Sequence, residues 1–371
     1  MKVEKGFRIA FVYLFLVALI GTLLRLSILY PLSFSYPYVL HAHSHVAFMG
    51  WLFNGVFLLT LGSLDVQAPW IKRQFVGYQI AILGMLISFP LQGYGPVSIS
   101  FSTLHIVISI WFLVKVWPLL PHIPYAEKWI KAGLVFMVIS AGGPFTLGPL
   151  AALGYKDTIW YDLSIQFYLH FFFNGWFFMA LAGLMSHHFS IDTGRGFTWM
   201  VGAMVPLFFT SVMVFDQSGW VRVLSLAGSV GFGMGVYHVL VVFRPEVRQP
   251  KQQGLFAVLV ISLLLKTLFQ VVINLADVAV WVAGLHHLVI GFLHLTFLGV
   301  LTPAIFILAE KYVRISRVGL LILLAGYVIT EASLFLGFVP GFSWIYQSLF
   351  AGAIILLLGT GWLLAFLRRQ D

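Results

Sequence analysis

Unbroken apolar runs, each near the roughly 20 residues a helix needs to cross a bilayer, recur from one end of this chain to the other. They lie at roughly 7–30, 40–62, 74–91, 100–118, 130–151, 161–186, 197–215, 220–243, 254–276, 282–308, 317–338 and 344–367. A membrane-spanning β-strand would show about 10 residues of alternating polarity. These runs are longer and apolar on every face, so they predict an all-α polytopic membrane protein with twelve transmembrane helices. Charged residues are only 9% of the chain and hydrophobic ones 61%, whereas soluble domains carry about a quarter charged residues. The polar gaps are too short to fold alone, so residues 1–371 read as a single membrane domain. The first run is too long for a signal-peptide core and has no small-residue cleavage site behind it.

The basic residues test this count. Lys2, Lys5 and Arg8 precede the first run, Lys72 and Arg73 follow the second, and Lys128 and Lys131 follow the fourth. Arg195 follows the sixth, Arg244, Arg248 and Lys251 the eighth, Lys311, Arg314 and Arg317 the tenth, and Arg368 and Arg369 the twelfth. The alternate gaps carry little beyond Arg25, Lys156 and Arg222. Basic loops stay on the cytoplasmic side, so both termini are expected to be cytoplasmic in an inner membrane. The net charge of +9 follows from this topology and calls for no nucleic acid.

One motif repeats along the chain. His45 is followed at five residues by Gly50-Trp51, His170 by Gly175-Trp176, and His294 by Gly299-Val300. The histidines are 125 and 124 residues apart, close to a third of the 371-residue chain. Blocks of about 1–124, 125–248 and 249–371 then hold four runs each, with the histidine on the second. This predicts three quasi-equivalent four-helix arcs. Two further histidines, His41 and His43, open the second run, and His286 and His287 open the tenth.

The chain has no cysteine. Thiolate metal ligands, iron–sulfur clusters and thioether-linked heme are therefore excluded. Any metal or heme must be held by the 12 histidines or by Met, Tyr or carboxylate side chains. A polar side chain in mid-membrane is costly unless it has a task or a partner, which singles out His170 and His294, and after them His45 and His287. His41, His105, His122, His187, His188 and His238 are expected nearer the membrane surfaces, as interfacial anchors. Gly50, Gly175 and Gly299 suit either close helix packing or close approach of a macrocycle.

Twelve helices in three arcs, with histidines on the second, sixth and tenth, resemble subunit I of the heme-copper oxidase superfamily, which includes the cbb3-type oxidases and nitric oxide reductases. The His-Ala-His opening of the second run also looks like the NnrS family of membrane heme and copper proteins. The resemblance implies one or two b-type hemes held by His43 or His45 with His287 or His294. It implies Arg25 near the heme propionates, and His45, His170 and His294 as metal-facing residues, with copper or non-heme iron as the second metal. It further implies redox or small-gas chemistry, an electron-donor protein or quinol, and partner subunits. The chain departs from the family at the seventh run, which lacks the two adjacent histidines of the usual three-His copper site, and at Asn174, where many oxidases carry a tyrosine.

Lys266, Gln270, Asn274 and Asp277 fall at helical spacing on the ninth run. Such a stripe suits a proton path, a contact to heme propionates, or plain inter-helix hydrogen bonding. Glu331 in the eleventh run poses the same choice. The rival function is a three-repeat membrane transporter in which His and Lys266 relay protons or metal ions, although transporter repeats more often come as halves.

Overall fold

A computed structural model describes residues 2–247, 253–275, 277–337, 339 and 344–370. Arg248 and Lys251, counted above among the basic loop residues, lie outside the described residues. The described residues are all-α apart from one two-residue strand pair, Val313–Arg314 with Arg368–Arg369. In order, the long helices are α1 (Val3–Leu29), α2 (Tyr36–Leu64), α3 (Pro69–Gln92), α4 (Pro96–His122), α5 (Glu127–Ala152) and α6 (Ile159–His188). There follow α7 (Gly194–Val212), α8 (Gly219–Phe243), α9 (Gln253–Val272), α10 (His286–Ala309), α11 (Arg317–Leu336) and α12 (Ile345–Ala365).

Among the described residues, 11 of these helices are long and apolar enough to cross a membrane, which makes this a multi-pass membrane protein. The exception is α7. Arg195 in its first turn, Pro206 within it and its glycine and hydroxyl residues dilute its apolar character. It nevertheless packs closely along α8. A Cβ on Gly228 would strike the backbone of Pro206 and Leu207, so no side chain separates the two helices there. Close backbone approach through small residues is how helices associate where lipid gives no hydrophobic drive. The pairing of α11 with α12 repeats this device, with Gly326 against the backbone of Leu356 and Gly359 against that of Leu323.

Three helices differ from the rest in burial. In α2, α6 and α10, 83%, 72% and 78% of the most apolar window is buried, against 22–50% in the other eight. They are also the three that carry the repeated histidine. Their surfaces meet protein on nearly all sides, and so they are apolar all round rather than striped.

By contacts the chain forms two compact units, Met1–Pro118 with Ile305–Asp371, and Leu119–Ala304. The first unit holds α1–α4, α11, α12 and the end of α10. The second holds α5–α9 and the start of α10. The first boundary falls close to the end of the first repeat block. The second falls inside α10, because a sequence repeat marks equivalent helices and need not mark where packing is densest.

Candidate functional site

Each repeated histidine is the last residue before a π-helical turn. These turns are Val46–Phe53 after His45, Phe171–Phe177 after His170, and Leu295–Leu301 after His294. A π turn winds one extra residue into the helix, is rare, and occurs mostly at functional positions. Three of them at one register of an internal repeat form the strongest structural signature of this chain. Gly50, Gly175 and Gly299 sit inside the turns. A Cβ on Gly50 would lie 2.7 Å from the ring of Tyr13 on α1, and one on Gly175 would crowd Phe136 on α5. Phe136 follows Tyr13 by 123 residues, two short of the 125 that separate the two glycines, and in each of these blocks the first helix sets an aromatic residue on the turn glycine of the second. Asn54, fully buried, donates its side-chain amide to the Gly50 carbonyl at 2.9 Å and so satisfies a backbone group of the widened turn.

In the first unit the histidines divide by face. The His43 Nδ1–H donates to the Val17 carbonyl at 3.1 Å. Its ring lies on Gly21, where an added Cβ would sit 3.0 Å from His43 Cε1. That bond fixes the tautomer and leaves the Nε2 lone pair free of its own proton. Arg25, half-buried on α1, interacts electrostatically with His43 and with Tyr36. The opposite face carries His41 and His45. The His45 Nε2 shares a hydrogen bond with the Tyr94 hydroxyl at 3.0 Å, and the ring stacks on Phe89 at 4.4 Å. His41 lies 4.5 Å from the Tyr94 ring. The His45 Nδ1 is buried with no hydrogen-bond partner.

His105 departs from its expected anchoring role. It is 2% exposed, with its ring against Phe53 of the first π turn at 4.7 Å and Tyr78 at 4.8 Å. Its Nδ1 faces Ser109 Oγ at 3.4 Å, and its Nε2 is buried without a partner. The sequence held a signal for this. His105 is nine residues beyond Pro96, which at about 1.5 Å per residue is well inside the bilayer. The contacts of His105 with Tyr78, and of His45 with Tyr94, were not visible from spacing, because both tyrosines come from neighbouring segments.

In the second unit His170 is 7% exposed. Its Nε2–H donates to the Met204 carbonyl of α7 at 2.8 Å, and its Nδ1 accepts from the Asn174 amide at 3.3 Å. Both ring nitrogens are thus engaged, which holds the ring and leaves no lone pair for a metal. His294 is half-buried at the mouth of the third π turn. In the first turn of α10, the His287 Nε2 is buried without a hydrogen-bond partner. Two of the histidines expected near the membrane surfaces bond to backbone carbonyls of their own unit. The His187 Nδ1 donates to the Pro124 carbonyl at 3.0 Å and the His122 Nδ1 to the Leu119 carbonyl at 3.1 Å.

The polar stripe of α9 is shorter than its spacing suggested. The helix ends at Val272, Asn274 lies in the turn beyond it, and Asp277 sits exposed in a left-handed conformation. Lys266 and Gln270 are buried at 1% and 6% exposure. The Lys266 amine makes no hydrogen bond and lies 4.9 Å from the Phe232 ring and 5.5 Å from the Phe292 ring.

Among the described residues no group of three or more His, Asp or Glu side chains could hold a metal ion. Comparison with protein-family models finds no match, and comparison with curated proteins finds none either.

Proposed function

We propose that this chain is a hemoprotein of the oxidase subunit I type, binding one or two b-type hemes for redox chemistry or for handling a small gas such as nitric oxide or oxygen. The observation that carries the reading is the π turn placed directly after His45, His170 and His294. It supports three equivalent arcs of four helices, with α7 as the twelfth span, each arc directing an imidazole-bearing helix into the protein interior. A b-type heme needs only one or two imidazoles and an apolar, aromatic surround, which these residues supply more readily than a three-donor metal site.

The ligand fit is best at His43. An axial imidazole ordinarily donates its second ring N–H to a carbonyl, which orients it and raises its basicity. His43 has that arrangement with Val17, and Arg25 nearby suits a propionate. In the second unit His287 offers a buried imidazole nitrogen with no hydrogen bond. His45, whose Nε2 already meets Tyr94, fits less well, and His170 fits as a positioning residue. Bound heme would supply reversible one-electron chemistry or an open coordination position for a diatomic gas. The donor would be a quinol or a small electron-carrier protein, with partner subunits where one is needed. The basic gaps support an inner-membrane chain with both termini cytoplasmic. The second reading, a three-repeat transporter, draws on the buried Lys266 amine, a group that suits ion relay.

The test is the visible spectrum of the full-length protein, purified in detergent and reduced with dithionite. Sharp α and Soret bands, lost in His43→Ala or His287→Ala while helicity and elution volume stay unchanged, are expected. A featureless spectrum in protein purified from heme-replete cells overturns the reading in favour of transport.

A further inference from the structure

We infer that Lys266 is a proton-loading site inside the membrane, fed from the Asp277 end of α9 by a file of buried polar groups. The inference holds under either reading of function, because it uses no residue proposed to hold heme.

The Lys266 side chain is 1% exposed and its amine has no hydrogen-bond partner. A fixed ammonium in such a place demands a counter-ion or a cluster of acceptors, and no carboxylate forms an ion pair with it among the described residues. The faces of Phe232 and Phe292 flank the amine instead. Aromatic faces stabilise a cation yet cost nothing when the amine is neutral. The site therefore tolerates both states, and a proton is the one ligand that needs no cavity.

The way in is also built. Gln270 lies one turn along α9 on the same face, and Asn274 lies just past the helix end. Across from them Ser229 of α8 donates to the Gln270 carbonyl at 2.7 Å and receives the Asn274 amide at 3.1 Å. Three acceptors of this group, Ser225 Oγ, Gln270 Oε1 and Asn274 Oδ1, are buried with no partner in the protein. Buried polar atoms in that condition are the places where ordered water binds. A hydronium at the exposed Asp277 end passes its proton along such water to the lone pair of Lys266 Nζ, and water is left behind. The return of the proton reverses the step. The other ionisable groups on these helices are Arg222, Tyr237 and His238 of α8, His286, His287 and His294 of α10, and Tyr161, Asp162, Tyr168, His170, His187 and His188 of α6. His170 interacts electrostatically with Lys266, so a proton gained at Lys266 is sensed beside the second π turn.

The test is nitrogen NMR of the full chain, labelled with ¹⁵Nζ-lysine and reconstituted in lipid bilayers. One lysine signal, absent in Lys266→Met, should move reversibly between the amine and ammonium positions as the bulk pH is changed. Its proton exchange should slow by about tenfold or more in Gln270→Leu with Asn274→Leu, while the exposed lysines are unaffected. A Lys266 signal that stays neutral, or stays charged, at every pH overturns the inference. So does an exchange rate that the double variant leaves unchanged. Should Lys266→Met fail to fold, Lys266→Arg identifies the same signal by its loss.

Discussion

The imidazole of His170 is pinned to a neighbouring helix by one backbone atom, its Nε2 lying 2.8 Å from the Met204 carbonyl oxygen 34 residues away. The bond ties α6, just before its π turn, to α7, the least apolar of the long helices. His170→Ala removes the donor and with it the link between the two helices, a net loss of about 0.5–1.5 kcal/mol, while the carbonyl keeps its place in the α7 ladder. Thermal unfolding in detergent should show a clear loss in His170→Ala. His170→Gln, whose amide reaches in the same direction, should recover part of it. Equal melting of all three proteins would mean that the bond contributes nothing.

A test of the ligand role of His43 need not touch the histidine. Its ring rests on Gly21. Gly21→Ala places a methyl 3.0 Å from Cε1, a few tenths of an ångström too near, and Gly21→Val forces the ring aside. If His43 is an axial ligand, heme content should fall stepwise from Gly21 to Ala to Val, with helicity retained. Undiminished Soret absorbance in Gly21→Val would remove His43 from the ligand set.

Much of this arrangement was legible before any coordinates. Apolar run length gave the helices, because in lipid only a helix satisfies its own backbone. The 125- and 124-residue intervals singled out α2, α6 and α10, and these are the three most buried of the 11 apolar helices among the described residues. The π turns were not legible. Nothing in the side chains of Val46–Phe53 encodes a shift from i+4 to i+5 hydrogen bonding. Nor could spacing reveal that His170 would spend both nitrogens on Met204 and Asn174, since one partner is a backbone carbonyl on another helix. The burial of His105 against Phe53 and Tyr78 likewise depends on rings from two other helices, which its own position along α4 does not reveal. The stripe from Lys266 failed at Asp277 because helical spacing means nothing beyond the helix end at Val272.

Tyr312 gives a pH dependence outside the membrane spans. Burial pushes its phenol up from 10.0 to about 12, with the nearby Asp65 charge adding to the effect and a hydrogen bond with Ser63 opposing it. The folded chain thus holds this proton more tightly than the unfolded chain. Its contribution to stability is complete below pH 10.0 and is lost as pH rises toward about 12. Melting temperature measured from neutral pH into this window should fall more steeply for the parent protein than for Tyr312→Phe, which has no proton to lose. Parallel curves would place the phenol in water.

The turn glycines make the most exacting prediction, since the same substitution should give opposite results at different glycines of the chain. At Gly175 a Cβ would press on Phe136, and at Gly50 on Tyr13, each contact closer than a real Cβ tolerates. Both neighbours are themselves held, Phe136 at 7% and Tyr13 at 3% exposure, so neither can simply swing away. Overpacking of this kind costs about 1–3 kcal/mol. At Gly202 on α7 a Cβ meets nothing within 4 Å, and alanine there gains up to about 1 kcal/mol of helix propensity. Gly50→Ala and Gly175→Ala should therefore lower both folded yield and melting temperature, while Gly202→Ala should leave them level or raise them. Because the two turn glycines occupy one register of the repeat, their losses should also be similar in size. A harmless Gly175→Ala beside a damaging Gly50→Ala would break the proposed equivalence of the first two arcs, and with it the basis for treating the π turns as one repeated device.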